Sequence, residues 1–146
     1  MTEPRCAMST KDVVDLLCDI ADQVAAVIGN KGSISVFRYA GKKLGERIGY
    51  AHRGSPEEAR NLVATFFKEK GFMDDIELHK GEARLCGCKI GLVLKNRGSD
   101  AGKHALCHFG FGLIDGVMEG VTGHKTVTLH VESTYHEDGV TCRESW

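Results

Sequence analysis

The side chains best suited to chemistry are concentrated between residues 104 and 142. This stretch contains two of the six cysteines, several histidines, and Glu132 on a segment in which apolar and polar residues alternate. Thiolate, imidazole and carboxylate groups are the ligands that zinc accepts in proteins. The stretch therefore supplies the ligand types of a zinc site, and the question is whether the fold brings them together.

The six cysteines are Cys6, Cys18, Cys86, Cys88, Cys107 and Cys142. Because the N-terminus lacks a signal-peptide pattern, we expect reduced thiols or metal ligands rather than disulfides. Cys18 falls on the apolar side of a helical pattern and is expected in the core, whereas Cys6 belongs to a loose terminus, residues 1–9. Cys86 and Cys88 would share a face of one strand, where they could hold a metal, form a strained disulfide or simply pack.

Bulk properties exclude several classes of protein. The formal net charge is −1, from 19 basic and 20 acidic residues, which gives no support to a nucleic-acid or anionic-membrane partner. No apolar run approaches the roughly 18–20 residues that span a bilayer. We therefore expect a cytoplasmic protein whose 146 residues form a single domain.

The N-terminal half predicts three helices. Apolar spacing predicts an amphipathic helix over residues 10–28, capped by Ser9, and a second helix over residues 34–51. The second helix carries a glycine at every fourth position, namely Gly41, Gly45 and Gly49. Each glycine lowers helix stability by about 1 kcal/mol relative to alanine, so this row implies close approach of another element or a ligand, or else a frayed helix.

The third helix begins with a serine cap at Ser55, a proline at its first position and a capping-box glutamate, Glu58, and ends at Gly71. A hairpin is predicted over residues 76–79 and 83–86, and a further strand over residues 88–95. A helix follows over residues 105–121, and it carries a second glycine row: Gly112, Gly116 and Gly120.

Two closing strands are predicted near residues 125–134 and 140–145. The order of three helices, strands, one helix and two strands indicates an α+β fold. In it, N-terminal helices pack with an antiparallel sheet, and a long glycine-rich helix precedes a C-terminal β-hairpin.

Four segments of the chain resemble one family. Residues 37–48 resemble its Ala-Gly-x-x-Leu-Gly helix, residues 55–71 its capped helix, residues 107–116 its cysteine-opened Gly-x-x-x-Gly helix, and residues 131–142 its last hairpin. The chain is thus similar to a 4-vinyl-reductase-type, or hydrocarbon-binding, domain. The resemblance implies a fold related to the TRAPP trafficking subunits and haem-nitric-oxide-binding domains. Because symmetric dimers are the commonest assemblies, we also expect a homodimer.

The resemblance also implies a structural zinc site. In zinc-bearing relatives the ligands are a cysteine that opens the long helix, then a glutamate and two cysteines on the hairpin. Cys107, Glu132 and Cys142 match three of these positions, and Tyr135 stands at the fourth. His136, or His130 if it shares a strand face with Glu132, would then complete the site.

The function that the resemblance implies is a binding module for an apolar or aromatic hydrocarbon-type ligand, acting as sensor or carrier. The rivals are a tetrapyrrole vinyl reductase or its accessory subunit, a TRAPP-like interaction protein and a haem binder. No dinucleotide fingerprint is present, so we expect a protein that is not an enzyme on its own. The expected pocket residues are Phe37, Arg38, Tyr39, Phe67, His108, Phe109, Phe111 and Gly112.

Overall fold

The computed structural model describes residues 9–146, so the expectations for the loose terminus and for Cys6 fall outside the described residues, apart from Ser9. The described chain contains five helices and four strands. In chain order these are α1 Thr10–Ile28, α2 Asn30–Tyr50, α3 Pro56–Glu69, β1 Asp75–His79, β2 Glu82–Cys86, α4 Lys89–Asn96, α5 Ala105–Thr122, β3 Leu129–Tyr135 and β4 Val140–Ser145.

The predicted N-terminal caps of α1 and α3 are confirmed. The Ser9 side chain accepts a hydrogen bond from the Asp12 backbone N–H at 3.1 Å, which begins α1. Ser55 and Glu58 form the reciprocal capping box of α3, with proline at its first turn. The second helix begins at Asn30, directly after Gly29, and is therefore four residues longer at its N-terminus than the pattern predicted.

One predicted strand is wrong, because residues 89–96 form the helix α4. Gly87 has a φ of 66° and turns the chain out of β2, and the Cys88 side chain then accepts from the Gly91 N–H at 3.5 Å as a helix cap. A short apolar run fits both a two-residue and a helical period, so sequence alone did not separate them. Cys86 and Cys88 consequently do not lie on one strand.

The sheet has the order β1-β2-β4-β3 and every neighbouring pair is antiparallel. The α+β class, the first hairpin and the C-terminal hairpin after the long helix are thus confirmed. Alternate residues of β2 and β4 point towards the helices, as shown by the buried Ala83, Leu85, Val140 and Cys142. None of the helices within residues 9–146 is long and apolar enough to cross a membrane.

The two glycine rows face each other where α2 crosses α5. A Cβ atom added to Gly112 would lie 2.1 Å from the Arg38 carbonyl oxygen, and one added to Gly45 would lie 2.3 Å from the Leu113 oxygen. The glycines therefore allow two helix backbones to touch, which confirms the expected close approach of another element. They close space between α2 and α5 and do not open a pocket there.

Candidate ligand-binding site

An apolar cavity lies between α3, α4 and α5 and the inner face of the sheet. The cavity itself is small, with about 30 Å³ of space that the centre of a water molecule can reach. It lies within about 400 Å³ of empty space that includes its opening to solvent. Its walls are formed by Phe67, Met73, Leu85, Cys88, Ile90, Gly91, Ala101, Gly102, Cys107, Gly110, Phe111, Ile114, Cys142 and Glu144. A concave, largely apolar space with very few polar groups is typical of a small-molecule site.

Glu144 is the one residue in this wall that has a carboxyl group, and it was not among the pocket residues predicted from the sequence. Its relative exposure is 0%, because β4 alternates and turns Val140, Cys142 and Glu144 towards the helices. Burial raises the pKa of the Glu144 carboxyl to about 9. The period-two pattern that places Cys142 on the core face also places Glu144 there, so the signal was present in the sequence.

A chain of hydrogen bonds leads from Glu144 through His130 and Ser133 to the backbone of Ala101. His130 Nδ1 lies 3.0 Å from both Glu144 carboxyl oxygens, and His130 Nε2 lies 3.1 Å from Ser133 Oγ. The Ser133 hydroxyl donates its single hydrogen to the Ala101 carbonyl oxygen at 2.9 Å. His130 Nε2 therefore donates to Ser133, and Nδ1 accepts from Glu144 in its protonated form.

The environment favours this uncharged arrangement. Burial lowers the pKa of His130, with a further contribution from the positive charge of Lys103. The raised pKa of Glu144, caused by burial, acts in the same sense. The pair is thus a neutral carboxylic acid and a neutral imidazole, and it does not place an unscreened charge in the apolar cavity wall.

Close packing in the loop before α5 holds His130 in place. A Cβ atom on Gly102 would lie 2.3 Å from His130 Nε2, and the φ of Gly102 is 91°. The Gly102 N–H donates to Cys107 Sγ at 3.3 Å. Glycine is required at this position because the backbone is left-handed and touches the imidazole ring.

An irregularity in β3 decides which of its side chains lie on the inner side of the sheet. The register between β3 and β4 shifts between His130 and Glu132, as in a β-bulge. His130 and Ser133 consequently both bond on the inner side of the sheet, whereas Glu132 accepts from Arg143 Nε at 3.2 Å on the outer side. The expectation that His130 and Glu132 share a strand face is therefore wrong.

The four predicted metal ligands are divided between the two faces of the sheet. Cys107 and Cys142 line the cavity. Glu132 pairs with Arg143, and His136 Nε2 lies 3.0 Å from Thr141 Oγ1 in a polar outer groove that also contains Glu132. These four residues do not fit one coordination shell, and residues 9–146 contain no cluster of three or more His, Cys, Asp or Glu that could hold a metal ion.

Tyr135 has a structural contact of its own. Its hydroxyl oxygen accepts a hydrogen bond from the Ala101 N–H at 3.1 Å. Together with the Ser133 bond to the Ala101 carbonyl, this contact ties the loop before α5 to β3. Where the zinc-bearing pattern has a cysteine, this chain thus has a tyrosine whose hydroxyl holds the loop before α5 against β3.

The cavity thiols are uncharged. Burial raises the pKa of Cys107 and of Cys88, and it raises the pKa of Cys142 to about 12. The thiolate is the form that binds metals and attacks electrophiles. The three cysteines therefore lie in the cavity wall as buried, uncharged thiols.

Of the eight expected pocket residues, Phe67 and Phe111 line the cavity. Phe37 and Phe109 are half-buried against the core, Tyr39 is 65% exposed, and Gly112 lies against α2. Phe111 also connects the cavity to His130, since the two rings stack with centroids 6.2 Å apart.

Arg38 and His108 belong to a separate polar network. Arg38 donates to Asp115 at 2.9 Å and to the Thr128 carbonyl oxygen at 2.6 Å, and Asp115 accepts from both the N–H and the hydroxyl of Thr128. Burial, followed by the charge of Arg38, lowers the pKa of His108. This network fastens the segment that leads into β3 to α2 and α5, and so fixes where β3 begins.

Comparison with known proteins identifies the fold. No protein-family model matches the sequence, and no curated protein sequence matches it significantly. Among solved structures, the chain is similar to the phenol-responsive sensory domain of the transcription activator PoxR, solved with phenol. The TM-score is 0.58 at 12% sequence identity, over 98% of this chain and 77% of that chain. The chain thus shares the fold of a ligand-responsive sensory domain.

Proposed function

We propose that this protein is a small-molecule sensor or carrier whose cavity takes a compact apolar or aromatic ligand. The observation that carries the proposal is the apolar space between α5 and the sheet, with a single carboxyl group in its wall. Its aromatic side chains, Phe67 and Phe111, offer flat surfaces to a ring. The fold shared with a phenol-responsive domain and the motif order of the 4-vinyl-reductase-type family add support.

The size of the cavity favours a compact ligand over a tetrapyrrole. About 30 Å³ open to the centre of a water-sized sphere holds very few water molecules, since one water needs roughly 10–15 Å³ by that measure. A single ring would already require wall side chains to move. Met73 is the most adaptable of these, because methionine is unbranched and flexible.

The test is titration of the protein with phenol, followed through backbone amide signals by NMR. We expect saturable binding, with the largest shifts at residues of the cavity wall. Gly110→Val should weaken binding at least about tenfold, because a Cβ at Gly110 would point into the space beside Phe67, 3.9 Å from its Cζ atom. Ala40→Val, an exposed position on α2, is the matched control and should bind like the parent protein.

Either of two results would contradict the proposal. One is the absence of saturable phenol binding to the parent protein. The other is equal affinity in the parent protein and in a correctly folded Gly110→Val variant, as judged by its circular dichroism spectrum.

We also propose that α1 pairs with a second copy of the chain. Val13, Ile20 and Val27 are seven residues apart on the outward side of α1 and are 38%, 47% and 84% exposed, and Leu16 lies between them. This spacing is that of a helix-packing seam. Because Val13 and Val27 are equally far from Ile20, a two-fold axis at Ile20 would place each against the other in an antiparallel pair.

Light scattering coupled to size-exclusion chromatography tests the dimer. The parent protein should elute with twice the monomer mass, and Ile20→Lys should elute as a monomer. Ala26→Lys, also exposed on α1 but away from the stripe, should remain a dimer. A monomeric parent protein at concentrations near 100 μM, far above a nanomolar to micromolar Kd, would remove the proposal.

A further inference from the structure

We infer that Glu144 is the residue that determines ligand specificity, and that the ligand is a compact molecule carrying an O–H or N–H donor. This inference rests on the proposed function, because it assumes that the cavity binds a ligand. It assigns to Glu144, with His130 as its positioning residue, the task of orienting that ligand.

The first argument is that Glu144 has unused hydrogen-bonding capacity inside the cavity. The protonated carboxyl group of Glu144 donates its O–H to His130, and its carbonyl oxygen keeps two lone pairs that can accept hydrogen bonds. Within residues 9–146 the only group that forms a hydrogen bond with the Glu144 carboxyl is His130 Nδ1. The remaining acceptor positions lie in the cavity wall, at a residue with 0% exposure.

The second argument is that the rest of the wall offers little competition. The other side chains that line the cavity are aliphatic or aromatic groups, a thioether and three thiols. Thiols and thioethers are weak hydrogen-bonding groups. A polar group on a bound ligand would therefore be drawn to Glu144, and the ligand would be oriented by that single contact.

The third argument concerns how firmly the carboxyl is held. His130 Nδ1 lies 3.0 Å from both Glu144 carboxyl oxygens and accepts the carboxyl proton. The His130 ring also stacks on Phe111 and is bonded to Ser133, whose hydroxyl donates to the Ala101 carbonyl oxygen. Its imidazole also touches Gly102. An acceptor held by such a set of contacts is preorganised, so it gives up little conformational freedom when a ligand binds.

The class of ligand follows from these contacts. A hydrocarbon without a donor would leave a buried carboxyl with unsatisfied acceptors and would displace any water that served it. A carboxylate ligand would bring a second set of acceptors, and a charge, against Glu144 in an apolar space. A compact ring or chain with one hydroxyl or amino group satisfies both the apolar wall and the carboxyl.

The experiment compares phenol with toluene, in which a methyl group replaces the hydroxyl, and with benzoate. Affinities are measured by NMR titration on the parent protein, on Glu144→Leu and on Glu144→Gln. We expect the parent protein to prefer phenol over toluene by at least about tenfold, which corresponds to about 1.4 kcal/mol, and to bind benzoate weakly. Glu144→Leu should lose this preference, whereas Glu144→Gln, which keeps a carbonyl acceptor, should retain most of it.

Folding of each variant is checked by its amide spectrum and melting temperature, and leucine is chosen because it has a similar volume and leaves no buried polar group at position 144. If toluene binds the parent protein as tightly as phenol, or if Glu144→Leu keeps the phenol preference, the inference is wrong while the proposed function stands. If none of the three compounds binds the parent protein, the proposed function fails and the inference fails with it.

Discussion

The helix α5 has two faces that pack in opposite ways. Towards α2 it carries Gly112, Gly116 and Gly120, and the two helix backbones are in direct contact. Towards the sheet it carries Gly110, Phe111 and Ile114, and a cavity remains. One face of α5 thus forms a close contact with α2, and the other leaves room for a ligand. On the first face glycine lets two backbones touch, and on the second it leaves space in the cavity wall.

The physical reason for the difference lies in what each glycine meets. On the α2 side the nearest atoms are backbone atoms of α2, which cannot move without separating the helices. On the cavity side the nearest atom to a Cβ at Gly110 belongs to the Phe67 ring, at an ordinary contact distance of 3.9 Å. The closed face secures the position of α5, and the open face can then adapt without loss of the fold.

The same substitution on the two faces gives the largest expected contrast. Gly112→Ala should destabilise the protein by about 3 kcal/mol or more, because its Cβ would overlap the Arg38 carbonyl oxygen. Gly110→Ala should be neutral or stabilising by up to about 1 kcal/mol, because alanine favours helices and the site has room. Urea denaturation followed by circular dichroism measures both, and a similar loss in the two variants would show that the comparison is wrong.

The Glu144 carboxyl, on β4 in the cavity wall opposite the open face of α5, should make stability depend on pH. Because burial raises the pKa of Glu144 to about 9, the folded protein binds a proton that the unfolded chain releases above its ordinary pKa of 4.5. The stabilisation is complete below pH 4.5 and is lost as pH rises towards 9, by at most about 1.4 kcal/mol per unit.

The measurement is the difference in unfolding free energy between the parent protein and Glu144→Gln at pH 5 and at pH 7. We expect the parent protein to lose roughly 1–3 kcal/mol more than Glu144→Gln over this interval, the range reflecting proton sharing with His130. Parallel pH profiles for the two proteins would show that Glu144 does not carry a perturbed proton in the folded state.

The smallest effect is expected on the outer face of the sheet. Glu132 is exposed and its partner Arg143 lies on the surface, so Glu132→Gln should change stability by less than about 1 kcal/mol. Because Glu132 points away from Cys107 and Cys142, the substitution should also leave the metal content unchanged, as measured by mass spectrometry of the purified protein. Stoichiometric zinc that disappears in both Glu132→Gln and Cys107→Ser would show that the hairpin rearranges around a metal.

The parts of the fold that were predicted from the sequence are those with local causes. Caps at Ser9 and Ser55, the apolar periods of α1, α3 and α5, and the turn of the first hairpin act within a few residues. The error at α4 has a local cause as well, since an eight-residue apolar segment satisfies both periods. Its outcome was decided by the left-handed Gly87 and the Cys88 cap.

The site was predicted less well because its members are set by contacts between distant segments. Phe67 and Phe111 were expected in the pocket and line it, but Arg38 was assigned to the pocket and is instead held by Asp115 and Thr128. Alternation along β4 would have identified Glu144. No pattern in the sequence indicated the register shift that turns His130 towards it.

The sequence by itself determined the helices α1, α2, α3 and α5, the two hairpins, the α+β class and the presence of two glycine rows. Tertiary structure alone decided which helix packs against each glycine row, on which face of the sheet each predicted metal-ligating side chain lies, and where a cavity remains. The physical reason is the distance along the chain over which each interaction acts. Capping and periodicity are properties of neighbouring residues. The cavity and the Glu144–His130 pair arise where six separate elements meet, namely α3, α4, α5, β2, β3 and β4, and a small shift in register exchanges one strand face for the other.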